Sequence, residues 1–189
     1  DHRIKAPSAQ TQITLASEWI PSDDPDEPKA VLATQVLSGG MGSRLFVEVR
    51  EKRGLVYSVW ARLAALRGRL DLYAYAGTMP EREAETREGL EKEIRRISEG
   101  VTEAEFERAL FGIRSRLAMD SESVAGRSLR LLLDLFRRGR ARTFEEREAE
   151  FLEIKREDLN RFLAERPLGA FTRLRLGPED VSMNGGASA

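Results

Sequence analysis

Glycine, arginine and tyrosine crowd one stretch of the chain, Leu37-Ser38-Gly39-Gly40-Met41-Gly42-Ser43-Arg44-Leu45-Phe46-Val47-Glu48-Val49-Arg50-Glu51-Lys52-Arg53-Gly54-Leu55-Val56-Tyr57-Ser58. A glycine-rich turn that opens a helix can cradle a phosphate on its free N–H groups. The spacing here is not that of a phosphate loop, which needs Gly-x-x-x-x-Gly-Lys and then Ser or Thr. It is not the dinucleotide fingerprint either, which follows a strand rather than a helix. Gly39, Gly40 and Gly42 are read as breaking one helix and starting the next, and Gly54 as the stop after Lys52 and Arg53. A second candidate is basic: Arg127 to Arg142 carries six arginines against Asp134 alone. Nucleic acid could sit on such a cluster. The formal net charge of −1 and a single interleaved aromatic, Phe136, favour a solvated helix end instead.

The chemistry that the chain lacks is equally informative. It has no cysteine and one histidine, His2. That excludes disulfide frameworks, thiolate metal sites, a Cys nucleophile and any arrangement needing two imidazoles. At 189 residues and 21.3 kDa, with 41% apolar and 33% charged residues, it is a charge-rich globular chain of one domain. The longest apolar run, Leu72 to Ala76, is far short of the roughly 20 residues of a membrane span. No signal peptide is recognised, and a soluble protein is expected, its compartment unspecified. The chain opens Asp1-His2-Arg3 without methionine, which suggests a processed or excised piece.

The elements that must position these residues follow from periodicity. Ile13, Leu15 and Ser17 alternate with polar partners as a strand ending near Pro21. Ser22 to Glu27 reads as a helix start, and that helix carries Val31, Leu32, Val36 and Leu37 up to Gly39. A short helix from Ser43 follows, with Leu45, Phe46 and Val49 on one face. Leu55, Tyr57, Val59, Ala61 and Leu63 fall on one face of a strand. Arg67-Gly68-Arg69 turns it into a second strand, Leu70 to Ala76. Five helices are then expected, two of them opened by the capping boxes Thr102/Glu105 and Thr143/Glu146. One is Val124 to Arg138, apolar over much of its circumference. The helix leucines are expected in the core, and Tyr73 and Tyr75 beneath helices. A last strand runs from Ala170 to Leu176. This order predicts an α+β fold, one antiparallel-rich sheet with helices on one face. Residues 1–11 are read as an extension, 12–180 as the domain and 181–189 as a disordered tail.

The Leu37–Ser58 stretch closely resembles the C-terminal half-unit of the pitrilysin/insulinase/mitochondrial-processing-peptidase family, the inverzincin metallopeptidases. There the pattern runs Leu-Gly-Gly-Gly-Met-Ser-Ser-Arg-Leu-Phe and then Arg-Glu-Lys-Arg-Gly-Leu-Ala-Tyr-Ser. Ser38, Gly42 and Val56 are mild departures, and the order of elements from Gln12 to Pro178 fits one complete half-unit. The resemblance implies the LuxS/mitochondrial-processing-peptidase-like fold. The family's zinc motif, His-x-x-Glu-His, belongs to the other half-unit and does not occur here.

The resemblance therefore implies no catalytic residue, metal ligand or cofactor in this chain, with zinc expected in a catalytic partner half-unit upstream or in a separate subunit. The chain alone should be inactive. What the family's non-catalytic half contributes is an Arg and a Tyr seven positions apart that reach the substrate. Arg50 and Tyr57 match them, with Gly39, Gly40 and Gly54 as the structural motif. A guanidinium can pair with backbone carbonyls of an extended peptide, and a phenol can donate to a developing oxyanion. The implied role is the substrate-contacting half of a zinc metalloendopeptidase, with peptide substrates inside a clamshell chamber, no nucleic acid and no membrane segment. The alternative is a zinc-less scaffold or assembly subunit of the same family. In the absence of that resemblance Arg50 would read as a solvated helix residue and Tyr57 as a core-facing strand residue.

Overall fold

The structure is a computed structural model, and it describes residues 1–66 and 68–178; the expected tail 181–189 and Arg67 of the expected turn lie outside the described residues. Among the described residues five strands make one sheet: β1 (His2–Lys5), β2 (Thr11–Pro21), β3 (Val56–Leu66), β4 (Arg69–Thr78) and β5 (Thr172–Gly177). Their order is β1-β5-β2-β4-β3, antiparallel except for the β1–β5 pair. β3 is therefore an edge strand. The strand at the first residues is not expected from the sequence, which reads 1–11 as an extension. Four short, exposed residues carry little alternation, and only pairing with the distant β5 makes them a strand.

Among the described residues six α-helices accompany the sheet: α1 (Glu27–Ser38), α2 (Glu83–Arg96), α3 (Glu103–Glu122), α4 (Val124–Arg138), α5 (Phe144–Leu152) and α6 (Arg156–Glu165). Both expected capping boxes form, at Thr102/Glu105 and Thr143/Glu146. The core lies between one sheet face and the helices. Ile13 and Leu15 of β2 and Leu70, Leu72, Ala74 and Ala76 of β4 supply the sheet side. Ala30, Ala33, Val36 and Leu37 of α1, Leu90 and Ile94 of α2 and Leu159 and Leu163 of α6 supply the helix side. Burying an aliphatic side chain of this size stabilises by about 1.5–3 kcal/mol before entropy is counted.

Two expectations about side chains fail. Tyr73 and Tyr75 alternate with the core row of β4, so they lie half-buried on the face away from the helices. There Tyr75 stacks on Trp60, its register partner in β3, with centroids 5.3 Å apart, and Arg62 covers Trp60 at 4.6 Å. The leucines of α4 are the second exception. Leu129, Leu131, Leu132 and Leu135 are exposed, because α4 turns its charged side inward. Asp134 is the buried residue there, and Arg142 donates to it from the backbone N at 3.0 Å and the guanidinium at 2.6 Å, with Arg147 adding another donor at 3.0 Å. Arg138 pairs with Glu27 of α1, and Arg130 with Asp120 at 2.7 Å. Much of the arginine cluster is therefore an internal ion-pair network rather than a solvated helix end.

Candidate functional site

The site grows out of the glycine-rich connection between α1 and β3. α1 ends where a Cβ on Gly39 would come within 2.3 Å of the Gln35 carbonyl oxygen, so the chain can leave the helix only without a side chain there. After a turn through Gly40 and Gly42, residues 44–51 form a short helix whose Phe46–Glu51 portion has π-type winding. The wide winding is explicit in the Lys52 N–H, which donates to the Val47 carbonyl five residues back at 2.9 Å. Single π turns are frequent at functional positions, because the extra residue re-aims side chains. The helix ends at Gly54, whose φ of +57° is left-handed and suits glycine.

Two anchors hold this segment. The first is Arg44, which nothing in the local sequence singles out. Its guanidinium is buried and makes a fork on Glu105, with Nε at 2.6 Å and one terminal nitrogen at 2.9 Å, and it donates to the carbonyls of Arg96 and Gly100 at 3.3 and 2.7 Å. The same Glu105 completes the capping box by accepting from the Thr102 backbone N–H at 2.8 Å. Burial would raise the Glu105 carboxyl, but the hydrogen bonds from Arg44 and Thr102 outweigh it and lower it to about 2. The available signal was Glu105 itself, already recognised as a cap. Nothing local disclosed that an arginine 61 residues earlier would share it.

The second anchor fixes the turn into β3. Thr78, fully buried at the end of β4, donates to the Leu55 carbonyl at 2.6 Å and meets the Thr86 hydroxyl of α2 at 3.0 Å. Arg82 donates to the carbonyls of Gly54 and Arg53 at 2.8 and 3.2 Å. With the turn held from below, β3 enters the sheet with a bulge. Val56 pairs with Thr78, Ser58 pairs with Gly77, and Tyr57 is the extra residue between them. The bulge changes the phase of the strand. Val59, Ala61 and Leu63 keep the core side, Val56 takes the buried position opposite Thr78, and Tyr57 leaves that row. The simple alternation that placed Tyr57 among core residues is corrected by this one insertion. Tyr57 is 56% exposed.

Arg50 is also exposed, in the last π turn, with its guanidinium carbon 5.0 Å from the centroid of Phe46. Arg50 and Tyr57 thus flank the same anchored turn, and both residues are exposed. Gly39 caps α1, Gly40 lies in the turn after it, and Gly54 lies three residues past the end of the π segment. Among the described residues no group of three or more His, Cys, Asp or Glu is arranged to hold a metal ion, and no helix is long and apolar enough to cross a membrane. The one histidine, His2, lies on β1, at the opposite edge of the sheet from β3. The described residues therefore offer no set of ligands suited to zinc. A cavity of about 220 Å³ between α1, α3, α4 and α5 has no lining residue from the 44–58 segment.

Comparison with known proteins agrees with this picture. The family described as the peptidase M16 inactive domain matches residues 1–113. An uncharacterized zinc protease of Mycobacterium tuberculosis is 36% identical over 149 residues, which are 75% of this chain and 33% of that protein. An uncharacterized zinc protease of Rickettsia bellii is 39% identical over 93 residues, 49% of this chain and 23% of the relative. The chain thus spans about a third or less of the length of these relatives. Among solved structures, a peptidase M16 inactive domain from Pseudomonas fluorescens superposes with a TM-score of 0.79 at 26% identity, over 94% of this chain and 43% of that one. An inactive peptidase domain from Bordetella parapertussis shares the fold, with a TM-score of 0.79 at 15% identity over 95% of this chain and 99% of the other.

Proposed function

Because the chain belongs to the peptidase M16 inactive-domain family, we propose that it is the non-catalytic, substrate-contacting half of a zinc metalloendopeptidase. Its relatives are zinc proteases of roughly three times the matched length, which leaves room for a zinc-bearing half outside this chain. The substrate is an extended peptide held in the chamber between the two halves. Arg50 pairs with its backbone carbonyls, and the Tyr57 hydroxyl donates to the oxygen on which negative charge develops.

The observation that carries this reading is the β3 bulge, which lifts Tyr57 out of the core row and leaves its phenol exposed beside the turn that also carries Arg50. A structural tyrosine would gain more by staying in register. The supporting geometry is costly to build: a left-handed glycine, a π turn and two buried polar anchors converge on these few residues. The exposed end of the guanidinium leaves its donors available to an incoming chain.

The test is Tyr57→Phe in the complete zinc-bearing peptidase, since it deletes one hydroxyl and keeps the ring. A lost oxyanion donor lowers kcat by about 2.7–4 kcal/mol in barrier terms. Zinc content and melting temperature are expected to match the parent protein. Full activity in the variant returns Tyr57 to a structural role and removes the oxyanion donor from this reading.

A further inference from the structure

Three consecutive carbonyls just ahead of Tyr57 are held from the start of α2 and the end of β4. Arg82, the N-cap of α2, donates to those of Arg53 and Gly54, and Thr78 donates to that of Leu55 at 2.6 Å. Behind Thr78 stands Thr86 of α2, whose hydroxyl donates to the Thr78 oxygen at 3.0 Å. A carbonyl oxygen can only accept, so the direction of this relay is fixed, from Thr86 to Thr78 to Leu55. Both threonines are fully buried. Valine would fill the same volume without bringing a hydroxyl into the interior, where an unbonded one is costly. The relay therefore uses the hydroxyls and not the branched shapes.

It sits where two placements of β3 diverge. Ser58 pairs with Gly77 and Val59 with Ala76. Regular alternation continued back from there sets Tyr57 opposite Thr78, in the row of Val59 and Ala61. Val56 occupies that position instead and is buried, while Tyr57 is exposed. With Leu55 clamped and Ser58 paired, Val56 and Tyr57 share the span of a single partner, and the surplus residue goes outward. Regular pairing would carry Leu55 one residue farther along, about 3.4 Å, and break its bond to Thr78.

We propose that Thr78, with Thr86 behind it, is a positioning residue for Tyr57: the relay selects the bulged register and so keeps the phenol on the surface. The consequence for catalysis rests on the role given to Tyr57 above; the selection of register does not. The start of α2, which carries Thr86 and Arg82, thereby sets the exposure of a residue on the edge strand.

Nitration of the 189-residue chain by tetranitromethane reads the register directly. Its three tyrosines fall in two tryptic peptides, Tyr57 in 54–62 and Tyr73 with Tyr75 in 70–82, so mass analysis follows Tyr57 by itself. Tyr57 should react first in the parent chain. Thr78→Val keeps the shape and removes the donor, and it should slow nitration of Tyr57 by roughly threefold to tenfold, the factor that one net hydrogen bond represents. Tyr73 and Tyr75 should keep their rates. Thr78→Ser retains the hydroxyl and should restore the parent rate. Where Thr78→Val does not fold, Thr86→Val carries the test, with a slowing of about twofold to threefold. In the complete zinc-bearing peptidase, Thr78→Val should lower kcat by about tenfold with KM nearly unchanged. Added to Tyr57→Phe it should cost less than about twofold more, since the hydroxyl it positions is already gone. Parent-like nitration in Thr78→Val, or in Thr86→Val where that variant must serve, overturns the proposal. Thr78→Ser behaving like Thr78→Val overturns it in favour of packing, and multiplicative losses in the double variant break the link to Tyr57. Nitration needs no substrate, so it decides the register whatever Tyr57→Phe does to activity.

Discussion

Two regions of the molecule bury arginine–carboxylate pairs, and they use them in opposite ways. At the base of the candidate site, Arg44 and Glu105 sit beside the apolar core, and their hydrogen bonds are spent on backbone carbonyls and a helix cap. The pair fixes where a turn goes. At the far corner, Asp134 with Arg142 and Arg147 holds α4 and α5 together while the leucines of α4 face solvent. There ion pairs, rather than apolar packing, hold the inward side of α4. Buried charge is weak evidence of stability by itself; the two pairs differ in what they hold in place, a turn in one case and two helices in the other.

The largest effect separating the two regions is expected at Asp134. Asp134→Ala strands Arg142 and Arg147 in a partly buried setting and should cost about 3–5 kcal/mol of stability. Hydrogen exchange should show the loss first in α4 and α5, before the sheet. Leu37→Ala removes a fully buried side chain of α1 and should cost about 2–5 kcal/mol by chemical denaturation, with the sheet and α1 unfolding together. Equal protection of both regions in the Asp134 variant would erase the distinction.

Acid should sharpen it next. Glu105 is depressed from 4.5 to about 2 in the folded chain, so its contribution of about 3 kcal/mol is complete above pH 4.5 and disappears as the pH falls through 2. The Asp134 carboxyl is also lowered: burial raises it, and the hydrogen bonds and charge of Arg142 more than offset that. A denaturation series from pH 6 to pH 2 should therefore lose stability steadily below about 4.5, and Glu105→Gln should flatten that slope. The smallest effect is expected at Leu132→Ala, within about 0.5 kcal/mol, since the side chain is largely exposed.

The same contrast explains what could be read from the chain beforehand. β2, β4, α1 and α2 were legible because their apolar residues recur at the period of the element that buries them. The Arg50–Tyr57 segment was legible through its motif, whose glycines mark positions the backbone demands. The bulge at Tyr57 was not, because one inserted residue shifts the phase of a strand and leaves no mark of its own in the alternation. α4 misled for a different reason. Its leucines have the spacing of a buried face, and spacing does not say whether the cover comes from the same chain. Arg44 was missed because its partners lie 52 to 61 residues away.

The most direct measurement is the division of labour between the two exposed residues in the assembled, zinc-loaded peptidase. Steady-state kinetics of Arg50→Ala, Tyr57→Phe and the double variant should separate positioning from transition-state stabilisation. Arg50→Ala is expected chiefly to raise KM, by the equivalent of about 1–3 kcal/mol for a charge-assisted hydrogen bond to the peptide. Tyr57→Phe is expected chiefly to lower kcat, with zinc content unchanged in all variants. Parent-like kcat/KM in the double variant would contradict a substrate role for this half of the enzyme.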